Sequence, residues 1–139
     1  MRQNLLPVLV AVILVAQGCA MSLSEIRALG PRGQAEINQP YVQAASCVLQ
    51  QIDNRPNDLI IRNARVVINH TVFSHHDKEY VEIAADPMVG GKYVGGMYLV
   101  SVRSRGPNSS VAEIYVSNNL IRSGAVADRI KQVASSCNR

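Results

Sequence analysis

His70, His75 and His76, followed closely by Asp77 and Glu79, are the side chains of this sequence best suited to hold a metal ion. A zinc centre needs three or four ligands converging from fixed directions, whereas neighbours on a strand or in a tight turn project apart. No second cluster with metal-ligand spacing stands elsewhere, so the histidines read as a solvated hairpin loop and no metal is expected. A metal site built on His70, His75 and His76 is the alternative. Gly90-Gly91-Lys92 invites a phosphate-loop reading, but Asp86 occupies the place of the first glycine in that pattern and Tyr93 the place of its hydroxyl residue. Those glycines instead permit a tight turn or a bulge. No serine lies in a G-x-S-x-G elbow, and no two carboxylates are spaced as a general acid and base, so neither catalytic residues nor a cofactor are predicted.

The remaining reactive side chains are cysteines. Cys19 closes a short apolar run, Leu5 to Ala16, that follows Arg2. A membrane-spanning helix needs about 20 apolar residues, so this run reads as a signal peptide over residues 1–18. Ala16-Gln17-Gly18-Cys19 resembles the lipobox of bacterial lipoproteins, which places small residues before the cysteine and usually a leucine where Ala16 stands. The resemblance implies that Cys19 becomes the first mature residue and carries acyl chains. By similarity to enterobacterial lipoproteins, Ala20 rather than aspartate after that cysteine implies the outer membrane. The competing reading is ordinary cleavage and a soluble periplasmic protein. Under both, Cys19 is capped by lipid or discarded, which leaves Cys47 and Cys137 to form a disulfide in an oxidising compartment. A redox-active pair would instead call for close spacing such as C-x-x-C.

Composition narrows the partners. The mature chain keeps about 120 of the 139 residues, enough for one compact domain with a modest core. Its net charge falls from +4 to +3 because the leader contributes only Arg2. The 14 lysines and arginines are scattered without runs, so nucleic acid is not an expected partner. No stretch after the leader is apolar enough to span a bilayer, so attachment to the membrane is expected through the lipid alone. Residues 19–39, with Gly30, Pro31 and Gly33, read as a flexible tether with a root-mean-square span of roughly 25 Å, long enough to hold the domain clear of the bilayer. Leu23, Ile26 and Leu29 within it have the spacing of a turn or two of amphipathic helix.

The domain is expected over residues 40–139. After Pro40, the apolar positions Tyr41, Ala44, Ala45, Val48, Leu49 and Ile52 recur at helical spacing until Asn54-Arg55-Pro56. Val126, Ile130, Val133, Ala134 and Cys137 repeat the pattern near the other end. Between them lie four strand-like runs: Leu59 to Ile68 with a continuation to Phe73 left open, Glu79 to Ala85, Tyr93 to Arg103, and Val111 to Val116. Short turn-prone links favour antiparallel neighbours. The predicted fold class is therefore α+β: a two-layer, four-stranded antiparallel meander with an N-terminal and a C-terminal helix packed on one face.

Alternation assigns Val81, Ile83, Ala85, Tyr98, Val100, Val102, Ala112, Ile114 and Val116 to the helix-covered face. The opposite face is expected to be open and to display Tyr80, Glu82, Met97, Leu99, Ser101, Arg103, Glu113 and Tyr115, a mixture suited to recognition. The sequence thus predicts a non-catalytic envelope lipoprotein whose domain binds another envelope component through that face. The alternative is a soluble periplasmic enzyme or metal-binding protein centred on the histidine loop.

Overall fold

The structure, a computed structural model, describes residues 21–54, 66–89, 92–93, 97–119 and 123–138. Helix α1 (Leu23–Ala28) is followed by strand β1 (Gly33–Ile37) and helix α2 (Tyr41–Asp53). Then come β2 (Val66–His75), a 3-10 turn (His76–Lys78), β3 (Tyr80–Val89), the two-residue β4 (Lys92–Tyr93), β5 (Tyr98–Gly106), β6 (Ser109–Val116) and helix α3 (Ser123–Ser135). All pairings are antiparallel, and the long strands lie in the order β1-β6-β5-β3-β2, with β4 pairing only with the end of β3. The α+β class is present, but the sheet differs from the expected four strands: β1, which comes first in sequence, crosses over to pair with β6, β4 pairs with β3, and a third helix, α1, precedes them.

The two long helices cover one face. Ala44, Ala45, Val48 and Ile52 of α2, with Ala127, Ile130, Val133 and Ala134 of α3, meet the buried residues of the sheet. All nine sheet positions assigned to this face by alternation belong to that core. Burying side chains of this size stabilises by about 1.5–3 kcal/mol each, so the period-two pattern decides which face turns inward. The sulfur atoms of Cys47, on α2, and Cys137, just beyond α3, form the disulfide. Close by, Gln39 Nε2 donates to the Cys137 carbonyl at 2.7 Å, and Asn138 Nδ2 donates to the Glu36 carbonyl at 2.8 Å.

The expected tether is where the structure departs most from the sequence reading. Described residues 21–37 are part of the domain. Ser22 caps α1: its Oγ accepts from the Glu25 backbone N–H at 3.3 Å, while the Glu25 carboxylate accepts from the Ser22 N–H at 2.6 Å. Ile26 is fully buried, and Gly33–Ile37 pairs along β6 with Ala35 and Ile37 inside the core. β1 gives β6 the neighbour that a bare edge strand would lack, and satisfying those backbone groups is the physical reason the segment does not stay flexible.

Strand limits shift for local reasons. Residues 59–65 of the first predicted strand lie outside the described residues, whereas the continuation to Phe73 is present and runs on to His75. β3 continues through Asp86-Pro87, where a turn was expected, pairing Pro87 with Ile68. Proline is tolerated there because β5 has already ended its pairing at Ala85↔Tyr98. The β5–β6 hairpin turns through a bulge at Ser104/Gly106, and Gly106 adopts φ +155°, a conformation open at little cost only to glycine.

Candidate functional site

The face opposite α2 and α3 is partly roofed by α1, so its centre is closed and its margin open. Ile26 sits on Ala84 and Leu99, with Met21, Leu23 and Tyr115 packed around them. Ala84, Leu99 and Tyr115 form one cross-strand row, and the small Ala84 leaves the depth into which a helix side chain can sink. Leu99 is therefore buried rather than displayed. Met97 is buried too, within the core shared with α2 and α3. Neither can contribute to a recognition surface, contrary to the expectation from alternation.

Glu82, Ser101 and Glu113 form the next row. The Glu82 side chain is only 5% exposed, and its charge is met by Arg27 of α1, whose Nε and Nη2 donate to the two carboxylate oxygens at 3.0 and 2.7 Å. This bidentate pair is a strong geometry and it pins α1 to the sheet, while raising the Arg27 pKa above its ordinary value. Ser101 Oγ is buried with no hydrogen-bond partner among the described residues.

The row beyond is the one that stays accessible. His75, Tyr80 and Arg103 are direct cross-strand neighbours on β2, β3 and β5. The His75 and Tyr80 rings stack with centroids 4.3 Å apart, and the Arg103 guanidinium lies 4.4 Å from the Tyr80 ring centre. Arg103 Nε also donates to Glu113 Oε2 at 3.2 Å, and the Tyr115 hydroxyl donates to the same oxygen at 3.0 Å. Burial, followed by that hydrogen bond, raises the Tyr115 pKa. Arg103 remains 44% exposed, and its two Nη groups make no hydrogen bond among the described residues. Paired Nη donors have the fork geometry that suits a carboxylate or phosphate.

The three histidines separate. His75 belongs to the stack just described, and its Nε2, 3.6 Å from Glu82 Oε2, is beyond hydrogen-bonding range. His76, in the 3-10 turn, contacts the Tyr41 hydroxyl through Nδ1 at 3.3 Å. His70 points to the other face, where its Nε2 is 2.7 Å from the Tyr98 hydroxyl and its Nδ1 is 3.0 Å from Asp53. Among the described residues no three His, Cys, Asp or Glu side chains converge as metal ligands.

Asp53, His70 and Tyr98 form a relay that the sequence does not reveal, because α2, β2 and β5 each supply one member. His70 and Tyr98 flank Ala85 in a single row, and the small residue between them lets the two rings meet. A carboxylate only accepts, so Nδ1 carries a hydrogen, and in the neutral ring Tyr98 donates to Nε2. Tyr98 is fully buried and so cannot touch a substrate; the relay braces strand β2 against the helix layer. Burial, and secondarily the Asp53 charge, pushes the Tyr98 pKa well above its ordinary value of 10.0. A phenol whose folded pKa is raised contributes stability in full below pH 10 and loses it as pH climbs toward the folded value. Tyr98→Phe is expected to cost about 1–3 kcal/mol at neutral pH, by stranding the His70 acceptor, and to flatten part of the alkaline decline in urea melts. An alkaline slope identical to that of the native protein would contradict this assignment.

No protein-family model matches the chain, and no curated protein matches it.

Proposed function

We propose that this chain is a non-catalytic lipoprotein of the bacterial cell envelope, held through acyl chains on Cys19 at the outer membrane, whose domain binds another envelope component. The observation that carries the binding half is the fixed arrangement of Tyr80, Arg103, Glu113 and Tyr115 on a five-stranded scaffold. Arginine and tyrosine dominate the binding energy of dissected interfaces, and side chains already held in one geometry lose less rotamer entropy on docking. The recognised group is anionic, received by the two Arg103 Nη groups against the His75–Tyr80 stack.

The test begins with a photo-crosslinker at the exposed Arg105, beside this row, to capture the partner in cells. Arg103→Ala and Tyr115→Ala are then expected to weaken binding by about 1–3 kcal/mol each, with Arg103→Ala leaving the melting temperature within a few degrees of native. The exposed Gln43→Ala, on the opposite layer, is expected to change nothing. Equal binding by Arg103→Ala and the native protein would refute the assignment, and stoichiometric zinc binding abolished by His75→Ala with His76→Ala would favour the metal reading in its place.

A further inference from the structure

We infer that the domain does not hang from its lipid on a tether but rests against the bilayer, with the end of β6 toward the membrane and the His75–Tyr80–Arg103 row turned away. This rests on acylation of Cys19 as proposed above. The occupant of the surface around the end of β6 is the phospholipid bilayer that holds the protein's own acyl chains.

The argument is one of chain length. Met21 packs against the cluster of Ile26, Ala84 and Leu99, and its Sδ lies 3.2 Å from Ser117 Oγ, immediately past the end of β6. Only Ala20 stands between Met21 and Cys19, and two residues of extended chain reach at most about 7 Å. Acyl chains on Cys19 must enter the hydrocarbon, so the bilayer surface lies close to Ser117. α1 cannot lengthen the leash while it is capped by Ser22, buried at Ile26 and paired through Arg27. Arg32 adds a further tie at this end, donating to Ser123 Oγ at 2.9 Å and to Asn118 Oδ1.

The antiparallel register then orients the rest. β6 spans about 24 Å from Ser109 to Val116. At its beginning lie Val111, opposite Arg103, and through Arg103 the side chain of Tyr80. The accessible row therefore stands at the end of the sheet remote from the lipid, where a partner can approach without meeting headgroups.

The experiment uses the full lipidated protein purified from membranes, carrying one fluorophore at Asn119→Cys or at Asn108→Cys, both exposed positions at opposite ends of β6. It is reconstituted into phosphatidylcholine and phosphatidylglycerol vesicles containing a headgroup-nitroxide lipid. Quenching is expected to be several-fold stronger at position 119 than at position 108. Inserting a Gly-Ser linker of about 12 residues between Ala20 and Met21, with a span of roughly 20 Å, is expected to erase the difference without altering the melting temperature. Equal quenching at both positions, in a chain whose N-terminal peptide carries the acyl mass, overturns the orientation and leaves the anchor standing. An N-terminal peptide without acyl mass overturns both. Hydrogen–deuterium exchange on the unlabelled lipidated protein reads the same geometry without a substitution: vesicle-dependent protection is expected at residues 115–119, and protection confined to residues 104–109 would refute it.

Discussion

Replacing Cys47 and Cys137 together by alanine is expected to lower the melting temperature by about 10–20 °C, from a loss of roughly 3–4 kcal/mol. The bridge closes a loop with a sequence separation of 90, for which chain-entropy reasoning gives about 4–5 kcal/mol, and measured values commonly fall somewhat short. Few other sources of stability exist on that scale in a domain with a modest core and one phenylalanine. The loss should not abolish folding, because Gln39 and Asn138 continue to tie the end of α3 to the β1–α2 connection. Thermal melts of native protein with and without reductant, beside the double variant, provide the check. Reduced native protein and the variant should melt together, and a shift of only a degree or two would show that the loop is already closed by other contacts.

The bridge was foreseeable because each cysteine sits on a one-sided helix and the two helices had only one sheet face to share. The same periodicities announced the nine core positions of the sheet. β1 was not legible: Gly33-Gln34-Ala35-Glu36-Ile37 offers two apolar residues, follows Gly30-Pro31, and becomes a strand only by pairing with β6, almost 80 positions later by the Ala35↔Ala112 register. Helix α1 is announced by the spacing of Leu23, Ile26 and Leu29 and, more sharply, by Ser22 and Glu25, which stand at capping-box spacing directly around Leu23 and ahead of Ile26. The spacing of Leu23, Ile26 and Leu29 announces a short helix but not its docking on the second sheet face, so Leu99, buried under it, and Met97, buried in the opposite core, read as displayed from sequence alone. Arg103, Glu113 and Tyr80 survive on that face because they lie past the row that Ile26 covers, while Tyr115 packs beside Ile26 and keeps its hydroxyl on Glu113. The Asp53–His70–Tyr98 relay needed three elements in their final positions, and no local pattern encodes such a meeting.

These two polar networks lie on opposite faces and serve different ends. Tyr98 is sealed in the core, where its hydrogen bond to His70 fixes a strand. Arg103 stands at the margin with donors to spare, held by a ring on one side and a carboxylate on the other. Rigidity in the first is a matter of stability; in the second it lowers the entropy lost when a partner binds.

Cys19→Ser is expected to move the protein almost completely from the membrane fraction to the soluble fraction, the largest effect of any single substitution considered. Each buried methylene of an acyl chain contributes about 0.8 kcal/mol to membrane affinity, so two or more chains hold a protein firmly where one is marginal. Among the described residues no helix is long and apolar enough to cross a membrane. The mature net charge of about +3 adds at most a weak, salt-sensitive attraction to anionic headgroups. Fractionation in low and high salt separates the two contributions: the serine variant should be soluble in both, and the native protein membrane-bound in both. Unchanged partitioning of the variant would defeat the lipoprotein reading and, with it, the short-leash orientation, because a chain that stays on the membrane without Cys19 must be held there by something other than its N-terminal lipid.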